Sequence, residues 1–208
     1  MTYTEEQIEA ANHLFKGECN FIAGSTAVSN LPVNDLPEIA FAGASNVGKS
    51  SIVNALTGRR TLVRTSSNPG HTKQLNFFKL REALVLVDLP GYGYARASKE
   101  SIAGWTGFTR DYLRGRQNLK RICLLIDSRR NLKPGDIEIM NLLDEVAVIY
   151  QIILTKIDKV KKDDVEKIIS AIKASAKKHT AMHPEIIATS SRDGWGIETL
   201  RAELAMLK

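Results

Sequence analysis

The stretch GASNVGKSS, Gly43 to Ser51, limits what this chain can fold into more than any other. It fits the pattern G-x-x-x-x-G-K-[ST], with Gly43, Gly48, Lys49 and Ser50 at the fixed places. Glycine there lets the backbone turn tightly and bring its N–H groups to phosphate oxygens. Lysine puts a positive charge on the β- and γ-phosphates, and the serine hydroxyl is a hard oxygen suited to Mg²⁺. The flanks agree. PEIAFAG before the loop is apolar and strand-like, and SSIVNALTG after it reads as a helix that stops at Gly58. A strand–loop–helix unit also aims the positive end of a helix dipole at a bound anion.

The alternation of apolar strands and helices runs on from there. Strands are predicted at EIAFAG, QLNFFKL (74–80), EALVLVD (82–88), KRICLLID (120–127), AVIYQIILT (147–155) and EIIATSS. The second and third are separated by a turn, so they form a hairpin and one strand runs antiparallel. Helices follow the loop, occupy the second half of KESIAGWTGFTRDYLRG, and cover PGDIEIMNLLDEV, DDVEKIISAIKASAKK and GIETLRAELAMLK. The expected fold class is α/β: three layers, a P-loop NTPase fold, a mostly parallel six-stranded sheet with one antiparallel strand, and helices on both faces. Residues 4–15 read as a short amphipathic helix, and 17–36 as a short apolar stretch followed by a Pro/Asn/Asp loop. Residues 1–36 are therefore expected to pack as an N-terminal extension on one domain spanning 37–208.

Composition narrows the class. Apolar residues make up 43% of the 208 and charged residues 25%, as in soluble globular proteins. No apolar run approaches membrane-spanning length, and the polar, acidic MTYTEEQIEAANHLF is unlike a signal peptide. Cys19 and Cys123 have no metal-like spacing, so a reducing cytoplasm is the expected compartment and Cys123 a small core residue. The balance is basic, 29 Lys+Arg against 23 Asp+Glu, which suits a nucleic-acid or ribonucleoprotein partner. Basic residues gather at Arg59, Arg60 and Arg64, at Arg110, Arg114, Arg116, Lys120 and Arg121, and at Arg129, Arg130 and Lys133. Any one of these groups also reads as a solvated face.

Three further stretches end strands, where ligands bind in open α/β sheets. In DLPG, Asp88 to Gly91, the carboxylate can hold Mg²⁺ directly or through water, and the Gly91 N–H can meet a γ-phosphate. In TKID, Thr155 to Asp158, the carboxylate can accept two hydrogen bonds from the guanine edge, which adenine cannot offer. Lys156 can lay its apolar stem along the base. In TSS, Thr189 to Ser191, backbone N–H groups, notably that of Ser190, are candidates to donate to guanine O6.

In this order the motifs resemble the TRAFAC-class GTPases over residues 37–208. NPGHTKQLNFF, DLPGYGYA and the threonine that opens TKID are similar to the EngB (YihA/YsxC) family of GTP-binding proteins. That resemblance implies a site residue by residue. Phosphates are bound by Gly43, Ala44, Ser45, Asn46, Val47, Gly48, Lys49, Ser50 and Ser51. Gly70, His71, Thr72, Lys73 and Gln74 form the nucleotide-contacting part of switch I, and Asp88, Leu89, Pro90 and Gly91 the switch II contact. Guanine is read by Thr155, Lys156, Ile157 and Asp158, with Thr189, Ser190 and Ser191 completing the base pocket. Ser50, Thr72 and Asp88 are the implied Mg²⁺ residues, and Lys49, Thr72 and Gly91 the implied catalytic ones. The resemblance further implies GTP and GDP as ligands and a switch in large ribosomal subunit assembly with rRNA as partner. It also implies a link to cell division and septation, and a monomer that uses no membrane.

Two positions depart from small GTPases. Tyr92 follows Gly91 where Ras-like enzymes place a water-orienting glutamine, which predicts slow hydrolysis. Thr155 replaces an asparagine amide that can contact the base. Asn46 resembles the residue that holds K⁺ in cation-activated relatives, although asparagine also suits a turn. His179 and His183 lie four apart before Pro184, without a third metal ligand nearby. Trp105 and Trp195 read as packing residues. The alternative functions are a nucleotide-gated scaffold in division and a P-loop phosphotransferase acting on a small molecule.

Overall fold

The computed structural model describes residues 3–63, 74–92, 105 and 107–208. Gly70, His71, Thr72 and Lys73, expected in switch I, and Arg64 lie outside them. The chain runs α1 (Glu5–Phe15), β1 (Cys19–Ser25), β2 (Glu38–Gly43), α2 (Lys49–Thr57), β3 (Leu75–Leu80), β4 (Leu84–Asp88) and α3 (Gly107–Gly115). It continues through β5 (Leu119–Asp127), α4 (Pro134–Glu145), β6 (Tyr150–Thr155), α5 (Lys162–Ser175), β7 (Ile187–Ala188) and α6 (Ile197–Ala205).

All seven strands form one sheet in the order β1-β3-β4-β2-β5-β6-β7. β2 lies between β4 and β5 and is parallel to both. β3 is antiparallel to β4 and to β1, so it alone runs against the rest. The expected antiparallel strand is present, but the sheet has seven strands where six are expected. The additional one is β1, inside the stretch read as a short apolar run and loop. Its exposed outer edge and a register shift between Phe21 and Ala23 remove the alternation that marks a half-buried strand.

Each sheet face carries its own apolar core. On one, Leu14 and Phe15 of α1, Ile52 and Leu56 of α2, and Leu200 and Leu204 of α6 pack over Phe41, Phe78 and Leu125. On the other, Tyr112 of α3, Ile139 and Leu143 of α4, and Ile172 of α5 cover Ala40, Phe77 and Leu124. Central strands buried on both faces must be apolar throughout, and β2 and β4 have no exposed residue. Both cysteines are buried free thiols, and burial pushes Cys19 up to about 11.

Local chemistry fixes the ends. Thr4 and Gln7 form a reciprocal capping box on α1. Pro134 opens α4, and the Asp136 carboxylate accepts from the Lys133 N–H at 2.8 Å. α2 ends at Gly58 (φ 64), as its sequence predicts. Arg201 of α6, 5% exposed, donates to the Leu56 and Ala55 carbonyls at the end of α2, each at 2.9 Å, and to Asn12 of α1 at 2.7 Å.

The second basic group does not form one face. Arg116 grips the fully buried Glu38 and the Pro32 carbonyl, and the Tyr112 hydroxyl completes that site at 2.9 Å. Arg121 is buried against Gln151 and Glu203, and Arg114 pairs with Glu145. Arginine carries a long apolar stem and a five-donor fork, so a sequence cluster can point inward.

Candidate functional site

The C-terminal ends of β2, β4, β5, β6 and β7 lie on one edge of the sheet, and the strand order reverses around β2. The loop from Gly43 to Gly48 leaves the sheet at that reversal. Gly43 is required by contact. A Cβ there would meet Val47 Cγ1 at 2.7 Å and the Leu125 carbonyl oxygen at 3.1 Å. Asn46 (φ 63) and Gly48 (φ 108) adopt the left-handed backbone that closes the loop. Lys49 and Ser50 form the first turn of α2, and Ser51 is exposed beside them.

Lys49 forms an ion pair with Asp88, the last residue of β4, where the two charges neutralise each other. The segment expected to form switch II lies directly on the P-loop. The Ser45 N–H donates to the Tyr92 carbonyl at 3.0 Å, and the Leu89 N–H to Phe41 at 3.1 Å. A Cβ on Gly91 would lie 3.2 Å from Ser45 Oγ. Trp105, 2% exposed, donates its indole N–H to the Pro90 carbonyl at 2.9 Å, a packing role as expected. Tyr92 is also buried, edge-on to Trp105, and its hydroxyl donates to Asp136 at 2.8 Å. Burial, with Asp136 beside it, pushes the Tyr92 hydroxyl well above its ordinary pKa, so it stays a donor aimed into the core. Gln74 donates to Asn76, which pairs with Asp88 across the hairpin, so Gln74 sits at the same end of the sheet.

The residues expected to read the base lie at the ends of β6 and β7. Thr155 is buried, and its hydroxyl donates to the Val47 carbonyl of the P-loop at 2.7 Å. The threonine that departs from the asparagine pattern thus ties two loops together. Lys156 (φ 60) donates to the Asn46 carbonyl at 2.7 Å and pairs with Asp127 at 3.1 Å. Ile157 follows in a single 3-10 turn and donates its N–H to the Thr189 carbonyl at 3.3 Å. The Asp158 carboxylate accepts the Ser190 hydroxyl at 3.0 Å and faces Lys159 at 3.4 Å and Arg192 at 3.8 Å. Burial works against its charge, but the Ser190 and Lys159 contacts outweigh it and its pKa is lowered. Both Thr189 donors, N–H and hydroxyl, go to the Leu154 carbonyl at 2.7 Å, and Ser191 is half-buried beyond them.

Some expectations change. The Ser190 N–H, the favoured donor to a base oxygen, is taken by the Trp195 carbonyl at 2.9 Å. Trp195 is 54% exposed and does not pack in the core. Arg59 of the first basic group is not simply solvated, because its guanidinium donates to the Gly17 carbonyl at 2.9 Å. His179 contacts Asp144 at 2.6 Å, and the His183 ring lies 3.7 Å from Glu203. Asp127 and Arg129 do not stand out in the sequence as a pair. Arg129 grips both Asp127 oxygens at 2.9 and 2.7 Å and holds that carboxyl well below the usual carboxylate range. Asp127 ends β5 as Asp88 ends β4 and Thr155 ends β6, so the strand-end rule points to it too.

A glycine-rich loop at the sheet's reversal, a lysine–aspartate pair beneath it and an acidic loop stitched to the next strand end define a P-loop nucleotide-binding protein. The family described as "50S ribosome-binding GTPase" matches residues 38–156. The chain is 52% identical over 205 residues to the probable GTP-binding protein EngB of Rhodospirillum rubrum, covering 96% of this chain and 89% of that protein. Against the same-named protein of Gluconobacter oxydans the identity is 55% over 202 residues, with 97% and 89% covered. The chain belongs to the EngB family of GTP-binding proteins, and its domain is a GTPase domain. A crystal structure of a probable GTP-binding protein EngB shares the fold at a TM-score of 0.65 and 24% identity, over 82% of this chain and 97% of that one.

Proposed function

We propose that the chain binds GTP with Mg²⁺, hydrolyses it slowly to GDP and phosphate, and acts as a switch in large ribosomal subunit assembly. The observation that carries the chemistry is the meeting of Lys49, Asp88 and Gly91 on the sheet edge that also holds Asp158 through Ser190. Lys49 exchanges Asp88 for the β- and γ-phosphates as nucleotide enters. The Ser50 hydroxyl and the Asp88 carboxylate are hard oxygen donors that fit Mg²⁺, which neutralises phosphate charge when bound. Thr72 joins that donor set in this reading. Gly91 presents its N–H to the γ-phosphate. Asp158 accepts from the guanine edge while Thr155 and Lys156 keep the base loop on the P-loop.

The Tyr92 hydroxyl spends its hydrogen bond on Asp136 and offers no group to an attacking water, which supports slow turnover. A K⁺ ion at Asn46 is a further part of the proposal, since a fixed cation there would offset developing charge. Hydrolysis faster in K⁺ than in Na⁺ is the expected outcome, and equal rates would remove the ion from the reading. The family description and the basic composition support the ribosomal role, with the division and septation link following from it in a cytoplasmic setting. The deciding experiment is co-sedimentation with separated ribosomal subunits in a non-hydrolysable GTP analogue, in GDP and without nucleotide. Binding to the large subunit confined to the analogue is expected. Absence of binding in every state would leave the GTPase and overturn the ribosomal assignment.

A further inference from the structure

β1 is the last strand on its side of the sheet, and its outer edge pairs with no other strand among the described residues. Five of its seven residues are exposed or half-buried. Phe21 is 57% exposed although its ring meets Phe78 edge-on at 5.6 Å, and Ile22 is 39% exposed. Val28 and Val33, just beyond the strand, are also exposed. Phe21 pairs with Phe78 and Ala23 with Phe77, so Ile22 is the extra residue of a bulge.

The segment is also free of charge. Residues 19–34 contain no Lys, Arg, Asp or Glu in a chain where one residue in four is charged. Exposed edge strands are ordinarily guarded by lysine, proline or inward charges, because unpaired N–H and C=O groups invite another strand. β1 carries none of these and has only a bulge, which also blunts edges. A long uncharged apolar edge is thus retained on a chain of net charge +6.

We infer that the outer edge of β1 is a docking site for an extended, uncharged polypeptide segment of a protein partner, which adds to the sheet as an eighth strand. The edge offers backbone donors and acceptors at strand spacing, with Phe21 and Ile22 to meet alternate side chains. It offers no cation to a polyanion. A second copy of this chain fits poorly on area. Seven residues span about 24 Å, and at a sheet thickness of roughly 10 Å two such edges bury about 500 Å². A stable interface needs about 1,200 Å². A flexible segment escapes that limit by adding a strand and then covering Val28 and Val33. The inference is independent of the nucleotide reading.

The test uses the full chain and a capped, fluorescein-labelled peptide of alternating threonine and valine. Its twin, N-methylated at alternate residues, cannot donate backbone hydrogen bonds from the edge that faces β1. The expected result is binding that slows hydrogen exchange at the β1 amides not paired with β3. The twin and the Ile22→Lys variant should each bind at least about tenfold more weakly. Phe21→Lys is the second variant, and unchanged GDP affinity shows that each variant is folded. Equal binding of both peptides, protection elsewhere than on β1, or no binding would overturn the inference. So would sedimentation of the free chain as a dimer that Ile22→Lys dissociates.

Discussion

Thr155 shows how one hydroxyl can join two loops. It reaches from the end of β6 to the Val47 carbonyl of the P-loop in a buried setting. Thr155→Val keeps the shape and strands that carbonyl, at a cost of about 1–3 kcal/mol. GDP affinity should fall about tenfold or more in a fluorescent-nucleotide titration, and an unchanged affinity would mean the tie does not hold the loop. Asp127 predicts a pH effect. Its folded pKa lies below the unfolded value of about 3.9. Its contribution is therefore fully present above about pH 4 and is lost as pH falls towards the folded pKa. Asp127→Asn should lower the denaturation midpoint at pH 7, and the gap from wild type should close on acidification below pH 4.

Among the elements, α2 is held at both ends, by the P-loop geometry before it and by Arg201 after it. The Arg201 fork satisfies carbonyls that a helix end leaves without partners, and it places a positive charge at the negative end of the dipole. Arg201→Met should cost about 2–4 kcal/mol in urea denaturation. Arg201→Lys should recover only part of this, because an ammonium cannot fork. The helices and the central strands were legible in the sequence, the helices from their apolar spacing and the strands from short, continuous apolar runs. β1 was not, because an uncharged edge strand with a bulge has no period. Lys49, Asp88 and Asp158 were legible because each stands at a fixed place on a strand end or helix start. The inward turn of Arg116 and Arg121, the exposure of Trp195 and the Tyr92–Asp136 bond depend on partners distant in sequence, which local pattern does not report.

For the whole molecule, the excess positive charge is distributed unevenly between interior and surface. Arg59, Arg116, Arg121 and Arg201 are used internally, whereas Arg60, Lys120, Arg130 and Lys133 stay exposed. An rRNA-binding face would therefore draw on the exposed set. Replacing Arg60, Arg130 and Lys133 by glutamine should weaken large-subunit binding in the GTP-analogue state. It should also flatten the dependence of log K on log salt by about 0.7–0.9 for each phosphate that is no longer neutralised. An unchanged slope would place the rRNA-binding face elsewhere.

α1 packs on α6, and Asn12 bonds to both Glu198 and Arg201. On the ribosome this clasp has an order in time. α1 is made before α6 and finds its partner only when α6 has emerged. Until then Leu14 and Phe15 lack part of their cover, and the carbonyls at the end of α2 wait for Arg201. The P-loop can form while the chain is still growing, but the layer behind it closes only once α6 has emerged.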